Sequence, residues 1–175
     1  MYRTIIDKLS NWSSKPERMP LMLYGARQIG KTHSLLKFAE KNFKNYIYIN
    51  FEKEKDAQKF FASNLEPKKL ISEISLKKKI TIDSKTDLII FDEIQECPNA
   101  ITSLKYFCED LNELRVIAAG SLLGVKLGEV SYPVGKVEIL HMQPMSFEEF
   151  LYANNHKQLI EIWKNLNLTE NEISL

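Results

Sequence analysis

The sequence predicts a three-layer α/β/α domain built around a parallel five-stranded sheet. Three observations carry this expectation. Short apolar and β-branched runs alternate with segments of helical periodicity along the 175 residues, and such alternation implies parallel strands joined by right-handed crossover helices. The stretch "DLIIFDE" has an unbroken apolar run, as suits a strand covered on both faces. A turn running from Gly25 to Gly30 joins the first strand to the first crossover helix, and a glycine-bearing strand-to-helix turn is a ready anion site.

The elements follow in order. Tyr2, Ile5, Ile6, Leu9 and Trp12 recur at helical spacing and predict a helix over 2–13, which "SSKPERMP" ends. "LMLYGA" is a buried strand, and Leu35, Leu36, Ala39 and Phe43 mark one face of the helix after Lys31. "NYIYINFE", residues 45–52, is rich in β-branched and aromatic residues and predicts the second strand. Helices are expected over 54–64 and 67–78, the second headed by Pro67. "DLIIFDE" is the third strand, a helix runs from Pro98 to about Leu111, and "RVIAAGS" and "KVEILHM" are strands four and five. Ser146 and Glu149 form a capping-box pair opening "SFEEFLYA", and a further helix is expected over 156–166. The segment "SLLGVKLGEVSYPVGK" holds three of the six glycines and is the candidate mobile loop. Residues 1–155 are expected to form one core, with 156–175 beginning a C-terminal helical segment that is cut short.

Composition narrows the class. Hydrophobic residues make up 44%, charged residues 27%, and the formal net charge is +1, so bulk charge does not point to nucleic acid. Cys97 and Cys108 form no C-x-x-C pair and the three histidines lack ligand spacing, which argues against zinc and for ordinary structural thiols. No run approaches the length of a membrane span and the N-terminus has no signal-peptide core. A cytoplasmic protein with reduced thiols is expected.

The chemistry lies in "GARQIGKT". Gly25, Ala26, Arg27, Gln28, Ile29, Gly30, Lys31 and Thr32 fit G-x-x-x-x-G-K-[ST]. Glycines allow dihedrals that turn successive amides inward on phosphate. Lys31 reaches the terminal phosphates, Thr32 ligates Mg2+, and His33 follows at the start of the helix. Asp92, at the end of the third strand, is the second candidate metal ligand. Glu93 is the candidate base that orients the attacking water. Ser121, after the fourth strand, is either a γ-phosphate sensor or a helix N-cap. Gln95 reads more readily as a surface glutamine than as a sensor acting through Glu93. No N-K-x-D motif supports a GTPase, and Glu93 argues against a small-molecule kinase.

The segments "GARQIGKT", "DLIIFDEIQECP", "AAGSLLG" and "YPVGKVEILHMQPMSFEEFL" resemble the prokaryotic AAA-type ATPases whose core precedes a DUF4143 C-terminal domain. Tyr132 and Met145 stand where that pattern has Phe and Leu. The resemblance covers most of 18–155. It implies an ASCE-type sheet in the order 5-1-4-3-2, ATP with Mg2+, and the roles above for Lys31, Thr32, Asp92 and Glu93. Arg18 and Arg115 precede strands and so lie at the wrong end of the sheet for a finger. Arg27 and Lys136 are the remaining cations considered for an interface. Slow basal turnover is therefore expected, with activation by a homo-oligomer or an unknown protein partner. The alternative is a module that binds ATP without cleaving it. Nucleic acid is a weaker candidate partner, resting on Lys68, Lys69, Lys77, Lys78 and Lys79.

Overall fold

A computed structural model describes residues 3–121, 133–156, 158–163 and 165. Five strands, β1 (Leu21–Tyr24), β2 (Tyr46–Asn50), β3 (Leu88–Asp92), β4 (Arg115–Gly120) and β5 (Glu138–His141), form one sheet in the order β2-β3-β4-β1-β5. Every pairing is parallel. This is the expected order read from the opposite edge. The helices are α1 (Thr4–Ser13), α2 (Lys31–Asn42), α3 (Phe60–Ser63), α4 (Pro67–Lys78), α5 (Pro98–Asp110) and α6 (Phe147–Ala153). Residues 158–163 are also helical.

Alternation along the strands sorts the core into two halves. Leu21, Leu23, Leu88, Ile90, Ile117 and Ala119 pack with Ile5, Leu9 and Trp12 of α1 and Leu35, Phe38 and Ala39 of α2. The intervening residues Met22, Ile89, Phe91, Val116 and Ala118 pack with Leu70 and Ile74 of α4 and Ala100, Leu104 and Phe107 of α5. In that second layer Phe51, Phe61, Phe91 and Phe107 form a chain of ring contacts, with centroids 5.5–6.2 Å apart. The two layers enclose β3 on both faces, so all five of its residues are buried.

One segment differs from the expected helix over 54–64. Lys55–Lys59 is a 3-10 turn and only Phe60–Ser63 is α-helical. Phe61 and Ala57 reach the core within these two short turns, so anchoring of two side chains, and not helix propensity, shapes the connection. The candidate mobile loop lies outside the described residues except for Ser121 and residues 133–136. Tyr132 and residues 166–175 also lie outside them.

A buried ion pair closes the side of the molecule next to the glycine turn. Arg3 Nε lies 3.1 Å from Glu149 Oε2. Thr4 donates to Glu149 Oε1 from both its backbone N–H (2.7 Å) and its hydroxyl (2.8 Å). The capping box is present: Glu149 N–H donates to Ser146 Oγ and Ser146 N–H to Glu149 Oε2. Arg3 also donates to the carbonyls of Ile29 (3.1 Å) and Gln143 (2.8 Å). Burial would push the Glu149 carboxyl up, but the donors from Thr4 and Ser146, with Arg3 beside it, hold it below its ordinary value of 4.5. A lowered folded-state pKa means the pair stabilises the protein above that ordinary value and loses its contribution as pH falls through the lowered one. Glu149→Gln is therefore expected to cost about 3 kcal/mol at neutral pH, because it strands a buried guanidinium. In urea titrations against wild type, the gap should narrow below pH 4.5; a gap that stays constant into acid would exclude this account.

Candidate functional site

Because the strands are parallel, their C-terminal ends share one edge, where ligands of open α/β sheets bind. The order β3-β4-β1 at the centre brings together the turn after β1, the acidic pair ending β3 and the serine after β4. These are the segments that the sequence singled out. Gly30 is the residue before α2 and has φ 92°, a left-handed conformation costly for a residue with a Cβ. Gln28 also has positive φ, at 63°. These reversals coil the turn over the start of α2, whose first amides lack helical partners.

Lys31 is buried and folds back into the turn. Its Nζ donates to the carbonyls of Gly25 (3.0 Å) and Ala26 (2.7 Å). Burial lowers its pKa, Glu93 and Asp92 oppose the change, and Arg27 adds to it. Thr32 Oγ1 donates to Asp92 Oδ2 at 2.6 Å, so the turn and the acidic strand meet in one contact. The hydroxyl of Tyr48 donates to the same oxygen at 2.8 Å, and the backbone N–H of Glu93 donates to Oδ1 at 3.0 Å. Asp92 is fully buried, yet both its oxygens are satisfied. Burial, helped by Asp92 and offset in part by Asn50, raises the Tyr48 pKa to about 12, so the phenol stays a hydrogen donor into alkaline solution.

Glu93 has φ 50°, an uncommon conformation for a residue other than glycine. Its Oε2 accepts from Gln95 Nε2 at 2.5 Å. Ser121 is 2% exposed, and among the described residues its hydroxyl has no partner. An open cleft of about 430 Å³ is lined by Arg27, Gln28, Gly30, Lys31, Thr32 and His33 of the turn and the start of α2, together with Glu52, Glu93, Gln95 and Glu96. Thr32 and Asp92 offer adjacent hard oxygen donors. That set fits Mg2+, which typically takes one or two carboxylates and completes its shell with water and phosphate.

Ala26 and Arg27 are exposed, while Gly25 is buried beneath the turn and Ile29 half-buried. Arg18 and Arg115 lie at the opposite edge of the sheet: Arg18 donates to Lys15 and Glu113 carbonyls and Arg115 to Ser13 and Lys85 carbonyls. Lys136 is paired with Glu109 at 3.0 Å. Gln95 is half-buried and bonded to Glu93, not a free surface side chain. Sequence reasoning did not single out Tyr48 or Arg3. The alternation of β2 hints at Tyr48, since Tyr48 and Asn50 share a strand face, but only the β2–β3 register (Asn50 opposite Asp92) sets the phenol beside the carboxylate.

An all-parallel sheet in this order, with a glycine turn after β1 and acids at the end of β3, defines an AAA-type P-loop domain. A family model described as an AAA domain, AAA_14, matches residues 17–151, and the chain belongs to that family. The chain is 32% identical over 142 residues to the uncharacterized protein MJ1544 of Methanocaldococcus jannaschii; the match covers 77% of this chain and 28% of that protein. The chain thus spans little more than a quarter of that relative's length. Among solved structures, C. elegans PCH-2 is similar at 13% identity and TM-score 0.47, over 91% of this chain and 46% of that one. The Aeropyrum pernix ORC1 protein, solved in complex with DNA, is similar at 13% identity and TM-score 0.48, over 89% and 48%. No helix among the described residues is long and apolar enough to cross a membrane.

Proposed function

We propose that this chain is the core of a Mg2+-dependent ATPase that cleaves ATP slowly and passes the resulting change of shape to a protein partner or to further copies of itself. The observation that carries the reading is the Thr32–Asp92 hydrogen bond at 2.6 Å, because it sets a hydroxyl and a carboxylate side by side at the end of the Gly25–Thr32 turn. The amides of Gly25–Thr32 and the Lys31 ammonium hold the phosphates. Thr32 and Asp92 would hold Mg2+, which would supply charge neutralisation to the phosphates. Glu93 accepts a proton from water as the water oxygen bonds to the γ-phosphorus. The bond to the β–γ bridging oxygen breaks, and that oxygen leaves with ADP.

The placement of cations supports slow turnover: Arg18 and Arg115 are held at the far edge and Lys136 is paired with Glu109, so of the four cations considered for the γ-phosphate only Arg27 is left, and a further charge would come from a partner. A DUF4143 C-terminal domain beyond this core, and a cytoplasmic location, belong to the same proposal. Nucleic acid does not: Lys69 pairs with Glu66 and Lys78 with Glu54, which weakens any basic stripe. The test is calorimetry of ATP with and without Mg2+, followed by phosphate release. Binding that weakens about tenfold when EDTA removes Mg2+, with slow release of ADP and phosphate, is expected, tenfold being about 1.4 kcal/mol. ATP that gives no binding heat would remove the proposal.

A further inference from the structure

Glu93 cannot act as a base unless its carboxylate is aimed, and its backbone alone does not aim it. Gln95 is two residues on, in the 3-10 turn Ile94–Glu96. Its Nε2 donates to Glu93 Oε2 at 2.5 Å, engaging one carboxylate oxygen. The other end of the same amide is unusual: Gln95 Oε1 is buried and has no hydrogen-bond partner among the described residues. A buried polar atom without a partner is rare in folded proteins. This one lies against the end of β4, where a Cβ added to Gly120 would come within 2.7 Å of it. With glycine at 120 the amide takes this position without having to shift. The residue after Gly120 is Ser121, whose buried hydroxyl is also without a partner. An unpartnered acceptor on Gln95 thus lies against Gly120, and an unpartnered hydroxyl belongs to the next residue along the chain.

We infer that Gln95 is a positioning residue linking Ser121 to Glu93: its amide N–H aims the Glu93 carboxylate at the attacking water, and its carbonyl receives the Ser121 hydroxyl when the cleft is filled. The inference rests on the hydrolytic reading above. Gln95 is assigned a role through Glu93, and none in holding nucleotide or metal. Its carboxamide suits the task because it offers a donor to the acid at one end and an acceptor to the hydroxyl at the other. Glutamate in its place would keep the shape but lose the donor and set a like charge beside Glu93.

The test uses the whole chain, with ATP and Mg2+, and four variants: Gln95→Ala, Gln95→Glu, Glu93→Gln and the double variant Gln95→Ala with Glu93→Gln. Thermal melting checks that each is folded, and calorimetry measures its ATP affinity. Gln95→Ala should lower kcat about tenfold with KM and ATP affinity unchanged, Gln95→Glu should lower it at least as far, and the double variant should be no slower than Glu93→Gln alone. Wild-type kcat in either single Gln95 variant overturns the inference. So does a further tenfold loss from Gln95→Ala in the Glu93→Gln background, because Gln95 would then act independently of the acid. Failure of wild type to bind or cleave ATP would be a different result: it removes the ATPase reading itself, and this inference with it.

Discussion

Replacing Lys31 by alanine is expected to weaken ATP binding by at least about 100-fold, about 2.7 kcal/mol, while the chain stays folded. The ammonium is buried at the mouth of the turn and bonded to the carbonyls of Gly25 and Ala26. On the proposed function, a triphosphate would draw the ammonium from those carbonyls to anionic oxygens, and charge-assisted bonds of that kind are roughly twice as strong as neutral ones. The variant loses that charge and leaves the turn without its internal tether. The two carbonyls belong to a turn next to open cleft, where water can replace the lysine, so the cost in stability should stay near 1 kcal/mol. Calorimetry and a thermal melt separate the two effects. Unchanged affinity in a folded variant would show that the turn does not capture phosphate.

The second large effect is expected in turnover and not in binding. Glu93→Gln should leave ATP affinity within about twofold of wild type and lower kcat by about 100-fold or more, the usual scale for a lost general base. Glu93 lines the same cleft as Lys31, and its backbone is held left-handed at φ 50°. Glutamine is no worse suited than glutamate to that conformation, so the fold should not suffer. It can still accept from Gln95 through its carbonyl, but it cannot take a proton from water. A variant that hydrolyses ATP as fast as wild type would mean that another group, or no group, activates the water.

Much of the architecture was legible along the chain. Each strand appears as a compact apolar run, and Ser146 with Glu149 announces the start of α6, because such signals involve residues within a turn of each other. The turn at Gly25–Thr32 is equally local: its dihedrals and its ammonium lie within one contiguous segment. The helix expected over 54–64 was misjudged for the opposite reason. Its residues favour helix, but Ala57 and Phe61 are drawn into a core assembled from distant strands, and that burial outweighs local propensity.

The sequence by itself determined the glycine turn, the acidic pair and the alternation of strands and helices, since all of these are written in contiguous residues and in the 3.6 and 2 periodicities of the backbone. Only the tertiary structure decided that the Tyr48 phenol secures Asp92, that Gln95 is wedged between Glu93 and the end of β4, and that Thr4 and Arg3 satisfy a carboxylate some 145 positions away. The reason is physical. Strand order, and not chain order, sets which side chains come within 3 Å of one another, and a hydrogen bond between distant segments leaves no periodic trace in either of them.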